Sequence, residues 1–153
     1  MLIFPAALSI IERYNDILGA INLDCKQFFK QINGKKIAMC GIGVSNTPLV
    51  LNFLSKGATV YACDRRSREQ IGALADELEA AGATLRLGDG YLDNLEVDII
   101  FRTPGMNFNL PELEAARKKG IAVTSEMEVF FDLCPATIFA VTGSDGKTTT
   151  TTL

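Results

Sequence analysis

From Lys35 to Gly143 short apolar runs alternate with stretches of helical periodicity, and that alternation limits the chain to one class of fold. KKIAMCG, ATVYACD, ATLRLG, VDIIFRTPG, IAVTS and ATIFAVTG read as successive strands, apolar on both faces. Between them, Thr47-Pro48 opens a helix carrying Leu49, Val50, Phe53 and Leu54, and Gly57 closes it. Ser67 with Gln70 caps a helix whose face is Ile71, Leu74 and Leu78, and Gly82 ends that one. Pro111 begins another, through Leu113 and Ala116 to Gly120, and Ser125 with Glu128 forms a capping box ahead of Val129, Phe130 and Phe131. Cys134-Pro135 stops that helix before the sixth run. Doubly apolar strands separated by helices imply a parallel sheet covered on both sides, with right-handed crossovers. Ligands of such sheets bind at the carboxyl ends of the strands. GIGVSN, DRR, TPG and GSDGKT therefore stand on functional edges, the last in this sheet or at the start of a second.

Ahead of the alternation, residues 6–21 place Leu8, Ile11, Tyr14, Ile17, Leu18 and Ile21 at helical spacing. Asp24 with Gln27 suggests a second short helix, with Phe28 and Ile32 on its apolar side and Gly34 at its end. This leader reads as an extra packing element or an added start; no chemistry is legible in it. The opening MLIFPAALSII lacks the basic start of a signal peptide. Glu12, Arg13 and Asp16 also interrupt it far short of the roughly 18 apolar residues of a membrane span. The expectation is a chain that neither spans nor crosses a membrane.

A length of 153 residues accommodates one domain with a real core and little more, and a net charge of −3 offers no general attraction for nucleic acid. With no histidine, Ser-His and Cys-His catalysis and the commonest zinc ligand are absent, so chemistry falls to lysine, threonine, carboxylates or backbone. Cys25, Cys40, Cys63 and Cys134 form no CxxC pair, and read as reduced, buried thiols of a cytoplasmic protein.

The sharpest motif is Val141-Thr142-Gly143-Ser144-Asp145-Gly146-Lys147-Thr148-Thr149. Its glycines let successive N–H groups converge on one anion, a helix start adds partial positive charge, and Lys147 supplies a full one. Thr148 then offers its hydroxyl to Mg²⁺. Val141 stands where the common GxxxxGK[ST] loop has its first glycine, so the alternative of a surface turn followed by a solvated threonine tail stays open. The second motif, Gly41-Ile42-Gly43-Val44-Ser45-Asn46 with Asp64 at the next strand's end, resembles a dinucleotide fingerprint, but Asn46 replaces its third glycine. Arg65 and Arg66 add two guanidiniums able to meet a diphosphate. Taken singly they are equally the solvated start of a helix, and the GxG is equally a plain strand-to-helix turn. Thr103-Pro104-Gly105 can wall a base, while Glu126 and Glu128 read as helix-start carboxylates.

In that order, GIGVSN, the DRR step, FRTPGM, SEMEVFF and GSDGKTTTTTL resemble the Mur ligase family, over about residues 35–153. The loop lacks the GGxGMS form usual in the alanine-adding branch, so the similarity is to the branch that joins D-glutamate to UDP-N-acetylmuramoyl-L-alanine in peptidoglycan precursor synthesis. The resemblance implies an α/β fold: a Rossmann-like parallel sheet with helices on both faces, preceded by a short helical leader at 1–34. It implies a UDP-sugar-binding domain over 35–135 and, over 136–153, the truncated start of a central ATPase domain. Val44, Ser45, Asn46, Asp64, Arg65, Arg66 and Gly105 would hold the UDP part of the substrate. Gly143, Ser144, Asp145, Gly146, Lys147, Thr148 and Thr149 would hold ATP, with Thr148 on magnesium and Lys147 as the catalytic residue. The implied chemistry is phosphorylation of the terminal alanine carboxylate by ATP and attack by the amine of D-glutamate. The family's remaining magnesium ligands would lie beyond Leu153, so the 153 residues alone are expected to show no turnover. Asp145 departs from the asparagine of many members and puts a negative charge beside the loop. From another class, an NAD-type dinucleotide-binding module would use GIGVSN and Asp64 and leave the terminal loop without a role.

Overall fold

The computed structural model describes residues 25–43 and 46–152. The amphipathic stretch at 6–21, Asp24 of the proposed capping box, and Val44 and Ser45 lie outside the described residues. The elements run α1 (Cys25–Ile32), β1 (Lys36–Cys40), α2 (Asn46–Ser55), β2 (Thr59–Asp64), α3 (Arg68–Ile71), α4 (Ala73–Ala80), β3 (Thr84–Leu87), β4 (Ile99–Arg102), α5 (Pro111–Lys118), β5 (Ala122–Ser125), α6 (Glu126–Leu133) and α7 (Lys147–Thr152).

All pairings are parallel, in the order β3-β2-β1-β4-β5. The α/β, Rossmann-like sheet expected from the alternation is the one observed. Alternate residues of β1, β2, β4 and β5 enter separate apolar clusters, as a sheet buried on both faces requires, while the edge strand β3 packs Leu85 and Leu87 on one of them. Ile37, Met39, Val60, Ala62, Ile99 and Phe101 join one with α1, α2, α4 and α6. Ala38, Cys40, Cys63 and Ile100 join the other with Leu113 and Ala116 of α5 and with Leu92 and Leu95. On the first face, Phe53 of α2 meets Phe101 at 5.2 Å between ring centroids. Phe28 and Ile32 are buried in the same cluster, so α1 packs as part of the domain.

Two local readings change. The helix expected after Ser67 is broken at Gly72, whose φ of 68° is outside the helical range, into α3 and α4. Arg68 bridges the break by reaching Asp76 and Glu79 of α4. Between β3 and β4 no helix forms; residues 88–98 make turns through Gly88, Gly90 and Asn94, all with positive φ, and bury Leu92 and Leu95.

The second change is a correction: ATIFAVTG is not a strand. Phe139 is 88% exposed, and no ladder of the five-stranded sheet includes residues 136–143. A strand exists only through its pairing, and these residues find no partner edge among the described ones, whatever their propensity. The threonine run Thr148–Thr152 is helical nonetheless. Its hydroxyls at 150, 151 and 152 donate to carbonyls one turn back, for example Thr150 Oγ1 to Gly146 at 2.9 Å.

Candidate functional site

In the order β3-β2-β1-β4-β5, the chain reverses direction across the sheet between β1 and β4, which leaves a crevice at their carboxyl ends. Gly41 makes the turn out of β1 with φ 93°, and its N–H donates to the Cys63 carbonyl at 2.7 Å. A Cβ on Gly41 would come within 2.5 Å of Thr103 Cγ2, so the glycine is required by both conformation and space. Asn46, only 4% exposed, turns its amide back onto the loop, donating to the Gly41 carbonyl at 2.9 Å and to Cys40 at 3.4 Å. The residue standing in place of a third glycine thus closes the turn from inside.

Asp64, at the end of β2, is 6% exposed and accepts four hydrogen bonds. Its Oδ2 receives the Ile42 N–H at 2.8 Å and Arg66 Nη2 at 2.8 Å; its Oδ1 receives the Arg66 N–H at 2.9 Å and Arg66 Nε at 3.0 Å. Arg66 Nη2 also donates to the Ile42 carbonyl. Burial pushes the Asp64 carboxyl up, but the Arg66 guanidinium, the two backbone N–H groups and the Arg66 charge outweigh it. The carboxyl therefore titrates below the usual range. The reciprocal bond raises Arg66. A carboxylate offers about four acceptor positions, and here all are taken. Asp64 and Arg66 are the frame that fixes the β1 loop to the β2 end.

Around this frame lies a cleft of about 530 Å³, lined among others by Gly41, Asp64, Arg65, Arg66, Thr103 and Gly105. Four expected site residues, Asp64, Arg65, Arg66 and Gly105, are therefore brought together. Arg65 is exposed and stands at the rim, free of the inward ion pair that holds Arg66. Tyr91 completes the wall and carries no motif of its own in the sequence, because it arrives from the turn segment 88–98 between β3 and β4. An aromatic within GDGY was the only available signal. Burial, then Cys40 and Asp64, push the Tyr91 hydroxyl up while Arg65 opposes them, so it stays protonated and can donate a hydrogen bond at neutral pH. Cys40 and Cys63 are free, fully buried neighbours in register, and the contact with Cys63, then burial, hold the Cys40 thiol well above its ordinary value.

The second candidate site is built differently. Residues 135–152 are exposed, and none of them lines the cleft. The loop nonetheless curls: Gly143 has φ 151°, Gly146 has φ 76°, and α7 starts at Lys147. The Lys147 ammonium folds over its own loop, donating to the Gly143 carbonyl at 2.5 Å and to Ser144 at 3.3 Å. It is neither a hairpin nor a lysine extended into water. Among the described residues no group of three Cys, Asp or Glu side chains could hold a metal ion. A cation at Thr148 would need oxygens from a bound phosphate.

At the other end of the sheet edge, Ser125 Oγ accepts the Glu128 N–H at 3.3 Å, as the capping motif predicts. The Glu128 carboxylate is used elsewhere, on Arg102 at 3.3 Å and Thr124 at 3.1 Å. Among the described residues no helix is long and apolar enough to cross a membrane.

Comparison with known proteins places this geometry. Residues 35–125 match the family model described as Mur ligase MurD-like, N-terminal domain. The UDP-N-acetylmuramoylalanine--D-glutamate ligase of Acetivibrio thermocellus is 51% identical over 134 residues, which cover 87% of this chain and 29% of that protein. Ligases of the same name from Clostridium novyi and Clostridium botulinum strain Okra are 49% and 50% identical, covering 83% and 84% of this chain and 28% of each relative. The chain thus spans less than a third of the length of the relatives it matches.

Proposed function

The chain belongs to the family of MurD-like N-terminal domains of Mur ligases, and from that premise we propose that it binds the UDP part of UDP-N-acetylmuramoyl-L-alanine for ligation to D-glutamate. The observation that carries the reading is the cleft at the β1 and β4 ends, lined by Gly41, Arg65 and Gly105 within the span matched by the family. Arg65 meets the diphosphate, Gly105 admits the uridine close to backbone, and Asn46, Asp64 and Arg66 fix the β1 turn through Gly41 and Ile42, while Val44 and Ser45 would add ligand contacts. The rival NAD-type reading needs an Asp64 able to receive ribose hydroxyls, and its acceptor positions are already filled.

Residues 35–135 form the substrate domain in this proposal, and 136–153 begin the ATPase part of a cytoplasmic, ATP-dependent ligase of the relatives' size. The terminal loop suits a polyphosphate: its glycines allow the curl, and Lys147 sits on the loop's own carbonyls, where an anion can draw it away. Thr148 would hold Mg²⁺ together with phosphate oxygens. ATP, when bound, supplies the phosphoryl group that activates the alanine carboxylate for the D-glutamate amine. Gly143, Ser144, Asp145, Gly146 and Thr149 shape the phosphate site, and Lys147 neutralises charge there.

Parallel calorimetric titrations with UDP-N-acetylmuramoyl-L-alanine, UDP, NADH and ATP test the assignment. Both uridine ligands bind on this reading and NADH does not; NADH binding with indifference to the uridine ligands overturns it. In a protein of the relatives' full length, Lys147→Ala lowers D-glutamate-dependent ADP release on the order of a hundredfold, and unchanged turnover removes Lys147 from the chemistry.

A further inference from the structure

One wall of the cleft is a loop, residues 103–110, that no ladder holds. Its own structure is a turn, with Met106 N–H on the Thr103 carbonyl at 3.0 Å, followed by Asn109 N–H on Asn107 Oδ1 at 2.9 Å. Gly105, Met106, Asn107 and Leu110 of this loop face the cleft. Phe108 is not part of the cleft lining and is half-buried.

There its ring meets two cations. The Arg117 guanidinium of α5 lies 3.7 Å from the ring centroid, a stacking distance, and its Nη2 also donates to the Phe108 carbonyl at 2.9 Å. The Arg102 guanidinium lies 5.3 Å from the same centroid. Arg102 is the last residue of β4, paired in register with Cys40 and Ser125, so the sheet fixes its backbone. Its Nη2 reaches Glu128 of α6 at 3.3 Å, and Glu128 is steadied by Thr124 Oγ1 at 3.1 Å. Arg102 Nε is buried without an acceptor. The guanidinium is therefore seated where the ring and Glu128 are, at the expense of one of its own hydrogen bonds.

Two like charges beside one ring repel, and burial followed by the Arg102 charge push the Arg117 pKa down. The negative π-face of Phe108, with Glu114 and Glu128 nearby, offsets this. A leucine would fill the same space and leave the guanidiniums facing an apolar group.

We infer that Phe108 is a positioning residue for the nucleotide cleft: held by the guanidiniums of Arg117 and Arg102 at its ring, it sets how far the loop carrying Gly105, Met106 and Asn107 stands from Arg65 and Tyr91. The inference rests on the reading of that cleft as the uridine-nucleotide site. It adds a residue outside the cleft that tunes affinity through the face of its ring.

The test compares the 153-residue chain with its Phe108→Leu and Phe108→Tyr variants, titrating each with UDP-N-acetylmuramoyl-L-alanine and unfolding each in urea. Tyrosine keeps the π-face and leucine only the bulk, so Phe108→Leu weakens binding about three- to tenfold while Phe108→Tyr stays within about twofold of the parent. Amide exchange at Met106 and Asn109 quickens in Phe108→Leu alone. Equal affinity in parent and Phe108→Leu overturns the inference, as does equal weakening in both variants or weakening that merely follows the urea midpoint. Absence of uridine-ligand binding by the parent sinks the cleft assignment itself, and the inference with it.

Discussion

The turn at Gly41 and the turn at Gly143 both bend a glycine-rich segment after an apolar run, yet the molecule holds them in opposite ways. Around Gly41, besides the Asn46 amide on its carbonyl, contacts come from far along the chain: Cys63 on its N–H, Thr103 against a Cβ built there, and Asp64 on the neighbouring Ile42. Around Gly143 they come, among the described residues, from within four residues, chiefly Lys147 on its carbonyl, and a Cβ built there would meet the Asp145 carbonyl oxygen at an ordinary 3.6 Å. A preorganised cleft needs long-range contacts to fix its shape, whereas a phosphate loop can carry its curl locally and be completed by its ligand.

Hydrogen exchange separates the two regions most widely. Amides of β1, β2 and β4 should open only with the whole domain, while those of 138–145 exchange nearly freely, a contrast of roughly a thousandfold or more. Comparable protection in both would erase the distinction. Substitution of the glycines comes next. Gly41→Ala, at φ 93° and against Thr103, should cost about 1–3 kcal/mol in urea unfolding with an unchanged m-value. Gly146→Ala strains its own φ of 76°, but the loop yields locally and the global midpoint moves by less than about 0.5 kcal/mol. Equal losses at the two positions would contradict the contrast.

Asp64→Asn sharpens it further. The variant disturbs four hydrogen bonds, but the Arg66 side chain is 43% exposed and solvent screens the pair, so the loss at neutral pH should be about 1–2 kcal/mol. Because the folded pKa of Asp64 lies below its unfolded value, its contribution is present above the ordinary carboxylate range near about 4 and disappears as pH falls through the folded pKa. The stability gap between parent and variant should therefore close on acidification below about pH 4; a gap that persists at lower pH would mean that the charge of Asp64 is not what holds the loop. Least of all, Lys147→Ala should leave the unfolding midpoint within about 0.5 kcal/mol, since the ammonium is exposed and bonds only to its own loop.

Periodicity was enough to read the paired strands, because β1, β2, β4 and β5 place alternate residues in two cores and β3 lays Leu85 and Leu87 on one of them, so each shows apolar positions in the sequence. It failed where pairing rather than propensity decides, at ATIFAVTG, and where Gly72 breaks the helix expected after Ser67. The site was legible as residue types at strand ends: Asp64, Arg65, Arg66 and Gly105 do meet at one cleft. Tyr91 was invisible because its approach depends on a turn path, and Phe108 because its partners Arg102 and Arg117 come from a strand and a helix with no local signature.

What the sequence by itself determined is the class of fold, the carboxyl edge that carries the ligand loops, and the chemistry available there, since strand period, turn glycines and charge type are all local properties. The division of labour among the residues on that edge was decided only by the tertiary structure. Arg65 and Arg66 are adjacent and identical in kind. One faces the cleft rim while the other is folded onto Asp64, because a buried carboxylate must find its donors within reach, and among the described residues Arg66 and the Ile42 N–H supply them.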